Sequence, residues 1–152
     1  ADAVLTQAHQ EVMQVFTHAV RDTVVAPNGP GQRALRSENY AGLGTEVHDL
    51  MTDRLRAMRN GAQNQGVGWC DTLFIDEVNW IPGNRLRPDI VAGWGPAAGA
   101  TRRVIWDPTG ITQIGKARRK YGDIPGNDAT DLVIEPLYSG QALRHLLFDI
   151  KY

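Results

Sequence analysis

Three β-rich runs, separated by turn sequences that leave room for little but a reversal, constrain this chain more than any other feature. Residues 71–80, 85–94 and 101–107 are rich in Val, Ile, Trp and Phe, which suit a pleated, half-buried surface. Ile81-Pro82-Gly83-Asn84 joins the first two and Gly95-Pro96-Ala97-Ala98-Gly99 the second two, and Pro, Gly and Asn supply the dihedrals that turns require. The runs therefore predict an antiparallel meander.

Helical periodicity flanks it. Within residues 3–25, Val4, Leu5, Ala8, Val12, Val15, Phe16, Ala19 and Val20 recur at intervals of three and four, predicting one long amphipathic helix. Two prolines and two glycines in 26–31 forbid its continuation and predict a loop. A second helix is expected over 45–59, with Thr45 as its N-cap and Val47, Leu50, Met51, Leu55 and Met58 as its apolar face. Glu46 lies about 40° from Leu50 around that helix, at the edge of the apolar stripe, where it can look into a cleft. After the meander, Ile111, Ile114, Ala117 and Tyr121 predict a further helix with Gln113, Lys116 and Lys120 pointing away from the sheet. Residues 132–138 read as a strand that Pro136 ends or confines to an edge, and 143–150 as a strand or a short helix followed by one. The expected fold is α/β: N-terminal helices, then a mixed, mainly antiparallel sheet with a flanking helix. It forms one domain over 1–152, in which 1–43 are an N-terminal helix and loop and 44–152 the core.

Composition closes off several classes. A chain of 152 residues with 42% hydrophobic and 22% charged residues can bury a core without staples. Its single Cys70 forms no internal disulfide and reads as a buried strand residue. No apolar run approaches the roughly 18–20 residues that a membrane span requires, and no secretory signal pattern opens the chain. The start at Ala1 without an initiator Met suggests a fragment of something longer. A net charge of -1 is silent on nucleic acid, yet between residues 102 and 121 Arg102, Arg103, Lys116, Arg118, Arg119 and Lys120 face one acidic residue, Asp107. Local basic charge of this kind adds salt-dependent affinity for phosphates. The tryptophans, Trp69, Trp80, Trp94 and Trp106, read as core.

The chemistry-bearing residues sit on the meander. Asp89 and Asp107 fall on adjacent strands of one hairpin, and the helix carrying Gln113, Lys116 and Lys120 leaves directly from the second. Two carboxylates can hold a hard divalent cation, Mg²⁺ before Mn²⁺ or Zn²⁺, with Glu46 as a third ligand or a group that orients water. Such an ion supplies a Lewis acid and a template for in-line attack on a phosphodiester, and lysine stabilises the charge that develops. No Cys or His cluster has structural-zinc spacing.

An acidic helix, a three-strand meander with Pro88-Asp89 on its second strand and Asp107-Pro108-Thr109 on its third, then a helix and a strand, resembles the core of the PD-(D/E)xK nucleases. The resemblance covers residues 44–138. It implies that Asp89, Asp107 and Glu46 bind metal and that a lysine lies beside them. Thr109 stands where the family has lysine, and in such nucleases the following helix can supply the lysine instead, making Lys116 the substitute with Gln113 as its neighbour. Asp149-Ile150-Lys151 matches the acidic-x-lysine letters directly and is the alternative pair. Arg102, Arg103, Arg118, Arg119 and Lys120 would contact nucleic acid, tRNA or DNA.

The architecture also resembles the C-terminal toxin domains of bacterial contact-dependent inhibition and polymorphic toxin systems. That likeness implies delivery from a larger secreted or surface-exposed protein into a target cell's cytoplasm, and an acidic immunity protein covering the basic face. Two other readings remain open at this level: a metal-independent ribonuclease using His48 or His145 with Lys151, and a binding module without chemistry.

Overall fold

The computed structural model describes residues 2–61, 73–75, 90–94, 102–121 and 130–149. Helix α1 (Asp2–Val25) forms where the periodicity predicts it and buries Ala8, Val12, Phe16 and Ala19 along one face. The Pro-Gly segment after it is no open loop. It turns directly into helix α2 (Pro30–Arg36), with Pro30 in the first turn, where the missing N–H leaves no intrahelical bond unmade. Gln32 Nε2 donates to the Val24 carbonyl at 3.0 Å and Arg33 Nη1 to that of Asn28 at 2.6 Å, closing the turn.

Helix α3 (Tyr40–Asn60) starts five residues before the expected N-cap. The Asn39 side chain accepts the Gly42 N–H at 2.9 Å, satisfying one of the orphan donors of the first turn. Thr45 lies inside the helix and its hydroxyl donates back to the Ala41 carbonyl. Leu43, Val47, Met51 and Leu55 are buried, and α3 packs on α1 and α2. An ion pair of 2.6 Å from Arg54 to Asp22 ties α3 to α1. The hydrogen bond from Arg54, then that from Arg21, holds the Asp22 carboxyl below its ordinary range.

The strands are β1 (Leu73–Ile75), β2 (Ile90–Trp94), β3 (Arg102–Trp106), β4 (Thr109–Gly110), β5 (Thr130–Ile134) and β6 (Leu137–Tyr138). One sheet runs β1-β2-β3-β5 and the other pairs β4 with β6. As expected, β1, β2 and β3 form an antiparallel meander, with Ile75 opposite Ile90 and Ile90 opposite Trp106. Strand β5 joins parallel to β3, with Trp106 beside Ile134, so the sheet is mixed.

The two sheets are one parallel ribbon interrupted in the middle. The Asp107 N–H donates to the Ile134 carbonyl and the Thr109 N–H to the Pro136 carbonyl, carrying the ladder on into the β4–β6 pair. The break falls at Asp107-Pro108 and Glu135-Pro136, because proline has no N–H to give.

Ile75, Ile90, Val104 and Trp106 share the main core with the three helices. Val91, Ile105 and Val133, from the alternate positions, are also buried but stand outside that core. Helix α4 (Lys116–Tyr121) packs on β5 and buries Ala117. The single helix expected from residue 111 is divided: a 3-10 turn (Ile111–Gln113) comes first, and Gly115 at φ +92° separates it from α4. Ile111 and Ile114 are consequently 47% and 57% exposed instead of facing the sheet.

The C-terminal segment is helical. Helix α5 (Gly140–Arg144) is capped by Ser139, whose hydroxyl accepts the Ala142 N–H, and continues as a π-helical turn (His145–Asp149). Asp149 therefore sits on a helical turn and not at the end of a strand.

Candidate active site

The ribbon sets two acidic residues side by side in the ladder, of which Asp107 lines the adjoining cleft and Glu135 does not. A register that pairs Trp106 with Ile134 and Thr109 with Leu137 sets Asp107 beside Glu135 and Pro108 beside Pro136. Trp106 and Ile134 face the helices, so their successors fall on the opposite side of the sheet, where α4 lies. Glu135 reaches the start of α4: both of its oxygens lie 3.0 Å from the Gly115 nitrogen and accept its N–H. Both acidic residues are half-buried, at the carboxyl ends of parallel strands, the edge where open α/β sheets bind ligands.

A cleft of about 570 Å³ opens there. Asp107, Pro108, Thr109 and Gly110 form its base; Gln113, Lys116 and Lys120 line one side. Tyr40, Ala41 and Gly44 of α3, with Tyr138, Ser139, Gly140 and Gln141, line the other. Two tyrosine–glycine contacts hold this second side together. The Tyr138 hydroxyl lies 2.7 Å from where a β-carbon on Gly44 would be, and the Tyr40 ring packs straight onto Gly140, leaving no room for one there. Burial raises the Tyr138 phenol above its ordinary value.

Of the site residues expected from sequence, Asp107, Thr109, Gln113, Lys116 and Lys120 all line this cleft. Thr109 is buried and its hydroxyl donates to the Asp107 carbonyl at 2.8 Å, which gives it a place in the turn. Glu46 does not line the cleft. α3 contributes Gly44, and a residue two positions on points about 160° to 200° around the helix from it. The earlier start at Tyr40 is the reason, since it is the first turn of α3 that meets the cleft.

Asp89, Ile150 and Lys151 lie outside the described residues. Ile90, which follows Asp89, pairs with Trp106, which precedes Asp107. Arg102 and Arg103 open β3, roughly 13 Å or more of strand away from Asp107. Arg118 and Arg119 are on α4; Arg119 is exposed and brings Nη1 close over Gly115, outside the cleft lining. His48 and His145 do not line the cleft either.

Glu135 and Tyr138 carry no periodicity or spacing that marks them as site residues in the sequence. The repeated acidic-proline dipeptide, Asp107-Pro108 and Glu135-Pro136, is the signal that pairs them.

Comparison with protein-family models, with curated proteins and with solved structures gives no match for this chain. Among the described residues, no three His, Cys, Asp or Glu side chains group to hold a metal, and no helix is long and apolar enough to cross a membrane. Mg²⁺ asks less than three: one or two carboxylates commonly suffice, with water and substrate phosphate completing its shell. Asp107 is the carboxylate that lines the cleft, while Glu135 beside it accepts the Gly115 N–H with both oxygens.

Proposed function

We propose that the chain is a metal-dependent nuclease that hydrolyses phosphodiester bonds at the cleft. The observation that carries the reading is Asp107, just past the end of β3, lining one cleft together with Lys116 and Lys120. The chain order of helix, antiparallel meander, helix and parallel strand supports a PD-(D/E)xK-like core, with Asp89 preceding the first residue of β2.

In this reading Asp107 is the principal metal ligand, Glu135 holds the turn ahead of α4, and a bound Mg²⁺ would supply Lewis acidity toward the phosphate. Lys116 and Lys120 bind the phosphate and offset the charge that builds up during displacement. The role is that of a toxin domain acting on nucleic acid in a target cell, restrained by an acidic immunity protein whose charge complements α4. Incubation with tRNA and with plasmid DNA, in Mg²⁺ and then in excess chelator, tests this. Cleavage that chelator stops and Asp107→Asn abolishes is expected; undiminished cleavage in chelator, or none of either polymer, would overturn it.

A further inference from the structure

We infer that the cleft seats a single unstacked nucleotide, so that the substrate is single-stranded or looped nucleic acid and not a continuous duplex. The inference rests on the nuclease reading for the choice of ligand, while the shape and lining of the cleft supply the rest. A volume of about 570 Å³ is of the size that encloses one small molecule. A base inside a duplex reaches such a space only by leaving its stack, which costs a few kcal/mol that a single strand is spared.

The two sides of the cleft differ in the way the two ends of a nucleotide differ. Lys116 and Lys120 on α4 meet an anionic phosphate. Across from them stand Tyr138 and, at the start of α5, the exposed amide of Gln141. An amide carries both donor and acceptor and matches a base edge, while a phenol offers a base both an aromatic surface and a hydrogen bond. The Tyr138 hydroxyl lies at the cleft between Gly44 and Gly110 and has no hydrogen-bond partner among the described residues. A half-buried hydroxyl so placed can donate to or accept from a ligand in the cleft. Ile111, 47% exposed at the rim, adds apolar surface next to it.

The test separates binding from cleavage. Fluorescence anisotropy in chelator, with the full chain and a labelled trinucleotide in ribose and deoxyribose forms, is compared with the same sequence closed into a hairpin stem. Single strands should bind roughly tenfold or more tightly than the stem, since each tenfold corresponds to about 1.4 kcal/mol of the unstacking cost. Tyr138→Phe and Gln141→Ala should each weaken trinucleotide binding severalfold without changing the affinity for inorganic triphosphate. The ribose and deoxyribose arms show which polymer supplies the nucleotide. Equal affinity for strand and stem, no binding of the trinucleotide, or indifference to both substitutions overturns the inference. Cleavage in Mg²⁺ is read separately: strands bound but never cut remove the nuclease reading alone, and stems cut as fast as strands remove this one alone.

Discussion

The indole Nε1–H of Trp106 donates a hydrogen bond of 3.0 Å to Nδ1 of His9, a residue 97 positions away, and the two rings lie 6.2 Å apart at 23°. Trp106 is fully buried at the end of β3, immediately before Asp107, so the contact anchors the carboxylate's strand to α1. His9 is the acceptor of that bond, through Nδ1.

Removal of that acceptor leaves a buried donor unmatched. His9→Ala should cost about 1–3 kcal/mol in denaturant unfolding. Trp106→Phe in the same chain should make the His9 substitution nearly neutral, giving a coupling between the two sites. Independent, additive effects would show that the hydrogen bond contributes nothing.

Gly44 is set by the Tyr138 hydroxyl and not by the helix around it. Alanine in a helix interior is favoured over glycine by about 1 kcal/mol, but here its β-carbon would stand 2.7 Å from that oxygen, and overpacking typically costs about 1–3 kcal/mol. Gly44→Ala should therefore be neutral to destabilising by itself. In a Tyr138→Phe background the nearest ring carbon is at 4.0 Å, an ordinary contact, and the same substitution should stabilise. Thermal melts of the four chains check the change of sign.

Burial raises the Tyr138 pKa above 10.0. Because the folded value exceeds the unfolded one, its contribution to stability is intact below pH 10 and is lost as pH rises from there through the folded value. Tyr138→Phe should flatten part of the alkaline fall in unfolding free energy. An identical alkaline slope in wild type and variant would contradict this.

Glu135 orders the turn that presents Lys116. Glu135→Ala strips the Gly115 N–H of its carboxylate acceptor and should destabilise by about 1–2 kcal/mol, while Glu135→Gln keeps one acceptor oxygen and should lose less. If the nuclease reading holds, Glu135→Ala also reduces cleavage by displacing α4, and Lys116→Ala reduces cleavage with the melting temperature unchanged. Full cleavage by a destabilised Glu135→Ala chain would show that the turn has no part in the chemistry.

Much of the framework is legible in the residues themselves. The apolar spacing of α1 and of the middle of α3, the antiparallel order of β1, β2 and β3, and the closeness of Lys116 and Lys120 to Asp107 along the chain follow from periodicity and turn chemistry within short windows. Those signals are local, because helix and hairpin geometry depend on neighbours a few residues apart. Boundaries were less legible: Asn39 took the cap expected of Thr45, and Gly115 broke the helix expected from residue 111.

What only the tertiary structure decided is which distant residues come together. The parallel pairing of residues 102–110 with 130–138 sets Glu135 beside Asp107, and the packing of α3 brings Gly44 and Tyr40 to the cleft while leaving Glu46 out of its lining. No periodicity encodes such pairings. They are settled by burying Ile105 and Val133 outside the main core and Trp106 within it, among the helices, a condition that the whole chain has to satisfy at once.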